Sequence, residues 1–179
     1  MDEHRTIKVN RAPVLTLWAA IVAERLGFDR NEALTLGRAV AGSSAAMKGR
    51  ALGIFEPADP RDVEAERRRA PPSDDVVNVR LLGRPVPAVR TPAGIRALDK
   101  QRPGDPHSVE RYLRSKFGDR YDAVRAAMEK LAASHEPRDL ALHGFRLYEA
   151  FRPDVPAGAT GWGAAGELNV ADIERLMRR

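Results

Sequence analysis

The sequence predicts a mainly α-helical protein with one short β-hairpin, and three observations carry that expectation. Apolar residues recur at three- and four-residue spacing in segments on both sides of residues 56–91. Two β-rich runs, Val76–Leu82 and Val86–Val89, flank a turn at Gly83–Pro85. The 179 residues are 43% hydrophobic, enough for a core, and no apolar run approaches the roughly 18 residues of a membrane span.

Taken in order, Asn10 stands as an N-cap before Pro13, and Val14, Leu17, Trp18, Ile21, Val22 and Leu26 mark a first helix ended by Gly27. Asp29 and Glu32 have capping-box spacing behind a Phe28 staple, so a second helix runs through Leu34 and Val40 to Gly42. Ser43 or Ser44 then caps a short third helix through Met47 and Leu52, closed by Gly53. The three make a helix-turn-helix-like trihelical unit.

From Glu56 to Asp75, 11 of 20 residues are charged and four are proline, which reads as a linker or exposed excursion. In the hairpin that follows, Pro85 and Pro87 cannot donate ladder hydrogen bonds, which predicts an edge strand or irregular arm and no large sheet. Thr91-Pro92 and Asp105-Pro106 each open a helix, the second carrying Val109, Tyr112, Leu113 and Phe117 to Gly118. Asp119, Pro137 and Asn169 start three more, with Gly144 weakening the one after Pro137. The expected organisation is an N-terminal region 1–91 with the hairpin and a C-terminal helical region 92–179, sharing one core or holding two.

Composition narrows function more by exclusion than by assignment. The absence of cysteine removes disulfides, thiolate nucleophiles and cysteine-ligated metal sites. Asp2 and Glu3 spoil the basic segment a signal peptide needs ahead of Val14–Ala23, which points to a cytoplasmic protein. Gly161-Trp162-Gly163-Ala164-Ala165-Gly166 satisfies the dinucleotide fingerprint formally, but it lacks a preceding strand and an acidic residue about 20 positions on, so no cofactor is assigned. Ser44 and Lys48 are four apart where a Ser-x-x-Lys nucleophile needs three. His135, His143, Glu136 and Asp139 are too few strong ligands for a metal assignment. No catalytic residue is assigned, and the reading leans away from an enzyme.

The net charge is +5, and arginine supplies 25 of the 30 basic residues. Two stretches hold bases and no acid: Ala33–Phe55, with Arg38, Lys48 and Arg50, and Val76–Leu98, with Arg80, Arg84, Arg90 and Arg96. Three helices followed by a hairpin is the element order of a winged helix, so the leading expectation is a binding module, with nucleic acid as candidate partner. There Arg38, Lys48, Arg50, Arg80, Arg84 and Arg90 would meet phosphates, and Ser43, Ser44, Lys48 and Arg50 would read bases. The alternative is a small-ligand protein or enzyme with a C-terminal pocket at His143, Tyr148, Arg152 and Trp162. A homo-oligomeric scaffold is a third class; none of the three involves a membrane.

The runs Ile7-Lys8-Val9-Asn10-Arg11-Ala12-Pro13-Val14-Leu15-Thr16-Leu17-Trp18-Ala19-Ala20 and Gly161-Trp162-Gly163-Ala164 resemble an uncharacterised bacterial protein family. The resemblance implies a bacterial, self-standing protein and carries over no ligand, cofactor or catalytic residue.

Overall fold

A computed structural model describes residues 6–51, 75–153 and 165–177, with the side chains of 43–51 and 165 outside the description. Among the described residues the first strand, β1 (Thr6–Asn10), leads directly into α1 (Arg11–Arg25), and α2 is Arg30–Ala51. A four-stranded antiparallel sheet follows in the order β2 (Val76–Leu81), β3 (Arg84–Thr91), β4 (Gly94–Asp99), β5 (Arg102–Pro103). Then come α3 (Pro106–Phe117), a 3-10 turn at Gly118–Arg120, α4 (Tyr121–Ala133), α5 (Pro137–Phe151), β6 (Ala165–Asn169) and α6 (Val170–Arg175). Strand β6 returns to β1, pairing Thr6 with Asn169 and Asn10 with Ala165 in a separate two-stranded antiparallel sheet.

The class is therefore mixed α and β, with six strands in two antiparallel sheets among the described residues, and not mainly α with one hairpin. Two misreadings account for the difference. Thr91-Pro92 opens no helix: Thr91 Oγ1 accepts from the Ala93 N–H and donates to the Gly94 carbonyl, a turn that folds the chain back as β4. Segment 165–169 pairs with a strand 160 residues away in sequence, which local periodicity does not register.

The trihelical unit is also absent. Helix α2 continues through Gly42, Ser43 and Ser44 to Ala51, so the second and third predicted helices are one, and no turn separates a recognition helix. Glycine and serine weaken a helix interior without stopping it when no left-handed residue intervenes. Of the linker 56–75, all but Asp75 lies outside the described residues.

The capping box at the start of α2 forms as expected. Asp29 Oδ1 accepts from the Glu32 N–H at 2.7 Å and Glu32 Oε1 accepts from the Asp29 N–H at 3.0 Å. Asn10 occupies the N-cap of α1 but makes no side-chain cap bond. Asp105 and Asn169 do cap α3 and α6, accepting from the N–H groups of His107 and Ala171.

Helix α1 is buried on every side: each residue from Pro13 to Ala23 is buried, and one core cluster draws on α1, both sheets and all the other helices. Helix α2 crosses α1 at Gly37, where an added Cβ would meet the Thr16 carbonyl oxygen and lie 2.8 Å from the Ala20 nitrogen. Trp18 sits edge-on to Phe151 and donates its Nε1–H to the Gly144 carbonyl at 2.9 Å. Gly144 also receives the tip of the β2–β3 hairpin, since a Cβ there would lie 2.6 Å from Leu82 Cδ2. Leu82 and Gly83 have φ of 52° and 77°, the left-handed pair of a two-residue hairpin turn, and Leu82 is buried although it is the non-glycine member. At the far end of α1, Arg125 of α4 holds Glu24 at 2.7 Å and Glu129 at 3.0 Å.

Two consequences can be measured. Gly37→Ala forces backbone apart and should cost about 1–3 kcal/mol in urea unfolding, whereas Gly42→Ala, where a Cβ meets nothing, should gain about 1 kcal/mol from helix propensity. Equal effects at the two sites would show that the α1–α2 approach is not tight. Burial raises the phenol of Tyr148 far above its ordinary range, with Arg11 partly opposing the shift. The unfolded tyrosine ionises near pH 10, so this contribution to stability is complete below about pH 10 and is lost as pH rises beyond it. Urea midpoints should fall across that range, and Tyr148→Phe should flatten the decline.

Candidate functional site

The register of the larger sheet creates an opening. Arg90 N–H donates to the Asp75 carbonyl, and the β2–β3 register then alternates so that even-numbered residues of β3 bond to β2 while Pro85 and Pro87 turn their nitrogens and carbonyls away from it. On that other side β4 pairs with β3 only as far as Ala88–Ala97. The next position would require an N–H from Pro87, which has none, and Leu98 pairs with Pro103 of β5 instead. The prolines thus permit an inner strand, correcting the expected edge strand, because each sits where β2 asks for no N–H. They also end the β3–β4 ladder and leave the Pro85 carbonyl with no strand opposite.

Beyond that point the β4–β5 hairpin reverses at Lys100 and Gln101, both with positive φ, and Gly104 donates its N–H to the Ala97 carbonyl. Gly104 passes so close to α2 that a Cβ would lie 3.3 Å from Thr35 Cβ. Asp105 then starts α3, bringing that helix alongside α2.

Helix α2 fixes the remaining edge of β4. Glu32 Oε2 accepts from the Ile95 N–H at 2.8 Å, and Thr35 Oγ1 accepts from the Ala97 N–H at 3.0 Å. Two side chains one helical turn apart satisfy two strand amides that no neighbouring strand reaches.

Between these elements lies a cleft of about 560 Å³. One wall is a single face of α2, with Thr35, Arg38, Ala39 and Gly42. The facing wall is α3, with Ser108, Val109 and Tyr112, and the floor comes from residues 85–87 of β3 and 97–99 of β4. The Arg38 guanidinium lies over the Tyr112 ring, 4.6 Å from its centroid. Burial raises the Tyr112 phenol and the Arg38 charge opposes it. Among the described residues Arg38 has no carboxylate partner and the Tyr112 hydroxyl no hydrogen bond. Asp105 stays ionised below the ordinary carboxylate range, chiefly because the His107 N–H bonds it, with Ser108 Oγ as a second donor.

Of the residues proposed for nucleic acid whose side chains are described, Arg38 alone lines this cleft. Arg80 is exposed on the outer face of β2, and Arg84 stands on the opposite face, over the Phe145 ring at 5.4 Å. Arg90 is exposed on β3, six residues or about 20 Å from Arg84. The side chains of Ser43, Ser44, Lys48 and Arg50 lie outside the described residues. Of the proposed C-terminal pocket, three members fall among the described residues. His143 is exposed, Arg152 half-buried, and Tyr148 is buried against Phe151 with its hydroxyl donating to the Arg11 carbonyl at 3.4 Å. Trp162 lies outside the described residues, and the end of its glycine-rich run leads into strand β6, not into a helix. Among the described residues no three His, Cys, Asp or Glu side chains are grouped to hold a metal. No described helix is long and apolar enough to cross a membrane.

Sequence reasoning missed Tyr112, Asp99 and Thr35. The Pro85-x-Pro87 spacing was the available signal, since it marks where a ladder stops. Thr35→Val should leave the buried Ala97 N–H unpaired, costing about 1–3 kcal/mol and accelerating exchange of that amide specifically. Unchanged protection at Ala97 would mean that the Thr35 bond does not hold the strand. Comparison with protein-family models, curated proteins and solved structures gives no match to this chain, so the cleft itself carries the functional argument.

Proposed function

We propose that this protein binds a small molecule in the cleft between α2, α3 and the open end of the β3–β4 ladder. The observation that carries the reading is the combination of a 560 Å³ concavity with polar groups of its lining, Arg38 and the Tyr112 hydroxyl, that no described protein group hydrogen-bonds or neutralises. Binding sites for small ligands are concavities of this size, largely apolar, with a few directed polar groups. Val86, Val109, Ala39 and Ala97 supply the apolar part. The lining elements are regular, and the Glu32 and Thr35 bonds tie the α2 wall to the β4 floor, which favours a preformed site.

Nucleic-acid binding through a winged helix draws less support, because α2 runs unbroken where a turn before a recognition helix is expected and the hairpin arginines occupy both sheet faces.

The test uses Nile red, a neutral dye whose emission rises in apolar surroundings, with the full-length chain. Saturable binding to wild type should disappear in Gly42→Phe. Gly42 lines the cleft on exposed helix, a Cβ there meets open space, and the variant should unfold at an unchanged or higher urea concentration. Dye binding that survives this blockade would remove the cleft as the site. Salt-steep binding of a labelled DNA duplex, lost in Arg80→Glu/Arg84→Glu/Arg90→Glu, would favour the nucleic-acid reading instead.

A further inference from the structure

The charges around the cleft oppose those of the whole chain. The protein is net positive by five, yet among the described residues the cleft is lined by one guanidinium, Arg38, and two carboxylates, Asp99 and Asp105. A purely anionic ligand would be drawn to Arg38 and repelled by both aspartates, and a purely cationic one would suffer the reverse. Nor do the charges satisfy each other, since Arg38 makes no ion pair with either carboxylate.

The two aspartates are not equivalent. Asp105 has Oδ1 committed to the His107 N–H and Oδ2 to Ser108 Oγ, so it serves the helix it caps. Asp99, at the end of β4, has no hydrogen-bond or ion-pair partner among the described residues. The Pro85 carbonyl adds an acceptor on the same floor, because the proline pair ended the ladder and no strand faces it. The cleft therefore offers cationic donors from α2 on one wall and acceptors with negative charge on the floor.

Resting on the cleft being the ligand site, we propose that its ligand is a zwitterion with an apolar body, its carboxylate or other anionic end on Arg38 and its amine on Asp99 and the Pro85 carbonyl. Tyr112 braces the guanidinium by stacking, which holds the anion-binding group in place without neutralising it. The separation of the two charged groups by at least an ion-pair length calls for a molecule whose charges are not on adjacent atoms. A dipeptide, about 7 Å from end to end, is of this form.

The experiment compares three ligands built on one dipeptide: Ala-Phe, N-acetyl-Ala-Phe without the ammonium, and Ala-Phe amide without the carboxylate. Each is titrated into the full-length chain with bound Nile red, and dye displacement is read. Ala-Phe should bind about tenfold more tightly than either blocked form, the effect of one charge-assisted hydrogen bond. Asp99→Asn should weaken Ala-Phe to the level of N-acetyl-Ala-Phe and leave the acetylated form unchanged. Arg38→Met, which keeps the aliphatic stem, should weaken Ala-Phe to the level of the amide. Equal affinity for Ala-Phe and N-acetyl-Ala-Phe, or displacement by none of the three at millimolar concentration while dye binds wild type and not Gly42→Phe, overturns the zwitterion and leaves the cleft reading standing. Failure of wild type to bind the dye at all removes both.

Discussion

A helix with apolar residues on every face cannot rest on a surface; it must be enclosed. Helix α1 is that element, buried without interruption from Pro13 to Ala23, and the rest of the fold is arranged to cover it. Gly37 lets α2 approach until backbone meets backbone, Gly144 receives both the Trp18 indole N–H and the Leu82 side chain, and the β1–β6 pair fixes the start of the helix. Each contact is set by the space another leaves. A methyl group at Gly37 is consequently a larger perturbation than its size implies, because close-packed interiors have no slack to absorb it.

The attachment of the larger sheet to this helical body depends on one carboxylate used twice. Glu32 closes the capping box of α2 with one oxygen and accepts from Ile95 of β4 with the other, and Thr35 repeats the second contact one turn on. The cap thereby sets the register of a strand more than 60 residues away. Gly94, at φ 118°, is needed for the same contact, since a Cβ there would stand 3.1 Å from Glu32 Oε2. Local helix chemistry and tertiary attachment are one set of bonds.

The cleft follows from those two arrangements. With β4 held to α2 and the β3–β4 ladder stopped at Pro87, the chain between the sheet and α3 has to pass around a gap, and Gly104 lets it pass close enough to define one. The groups facing the gap are those released from structural duty: the Pro85 carbonyl, the Asp99 carboxylate, and an Arg38 guanidinium stacked on Tyr112. Among the described residues an acceptor-rich floor faces one arginine braced by Tyr112, and the proposed zwitterion is the chemical complement of that arrangement.

The sequence by itself determined the elements whose causes are local. Helices α1, α3, α4 and α5 follow from apolar spacing, the start of α2 from Asp29 and Glu32, the starts of α3 and α6 from Asp105 and Asn169, and the β2–β3 hairpin from two β-rich runs around Gly83. Tertiary structure decided what depends on partners distant in the chain. Strand β6 exists because β1 is beside it, β4 because α2 supplies acceptors for its outer amides, and α2 runs through Gly42, where spacing had suggested a stop. The cleft belongs to the second kind. Arg38 was legible as a binding arginine, but its stack on Tyr112 and its position across from Asp99 join residues 61 to 74 positions apart, which periodicity, caps and turns do not encode.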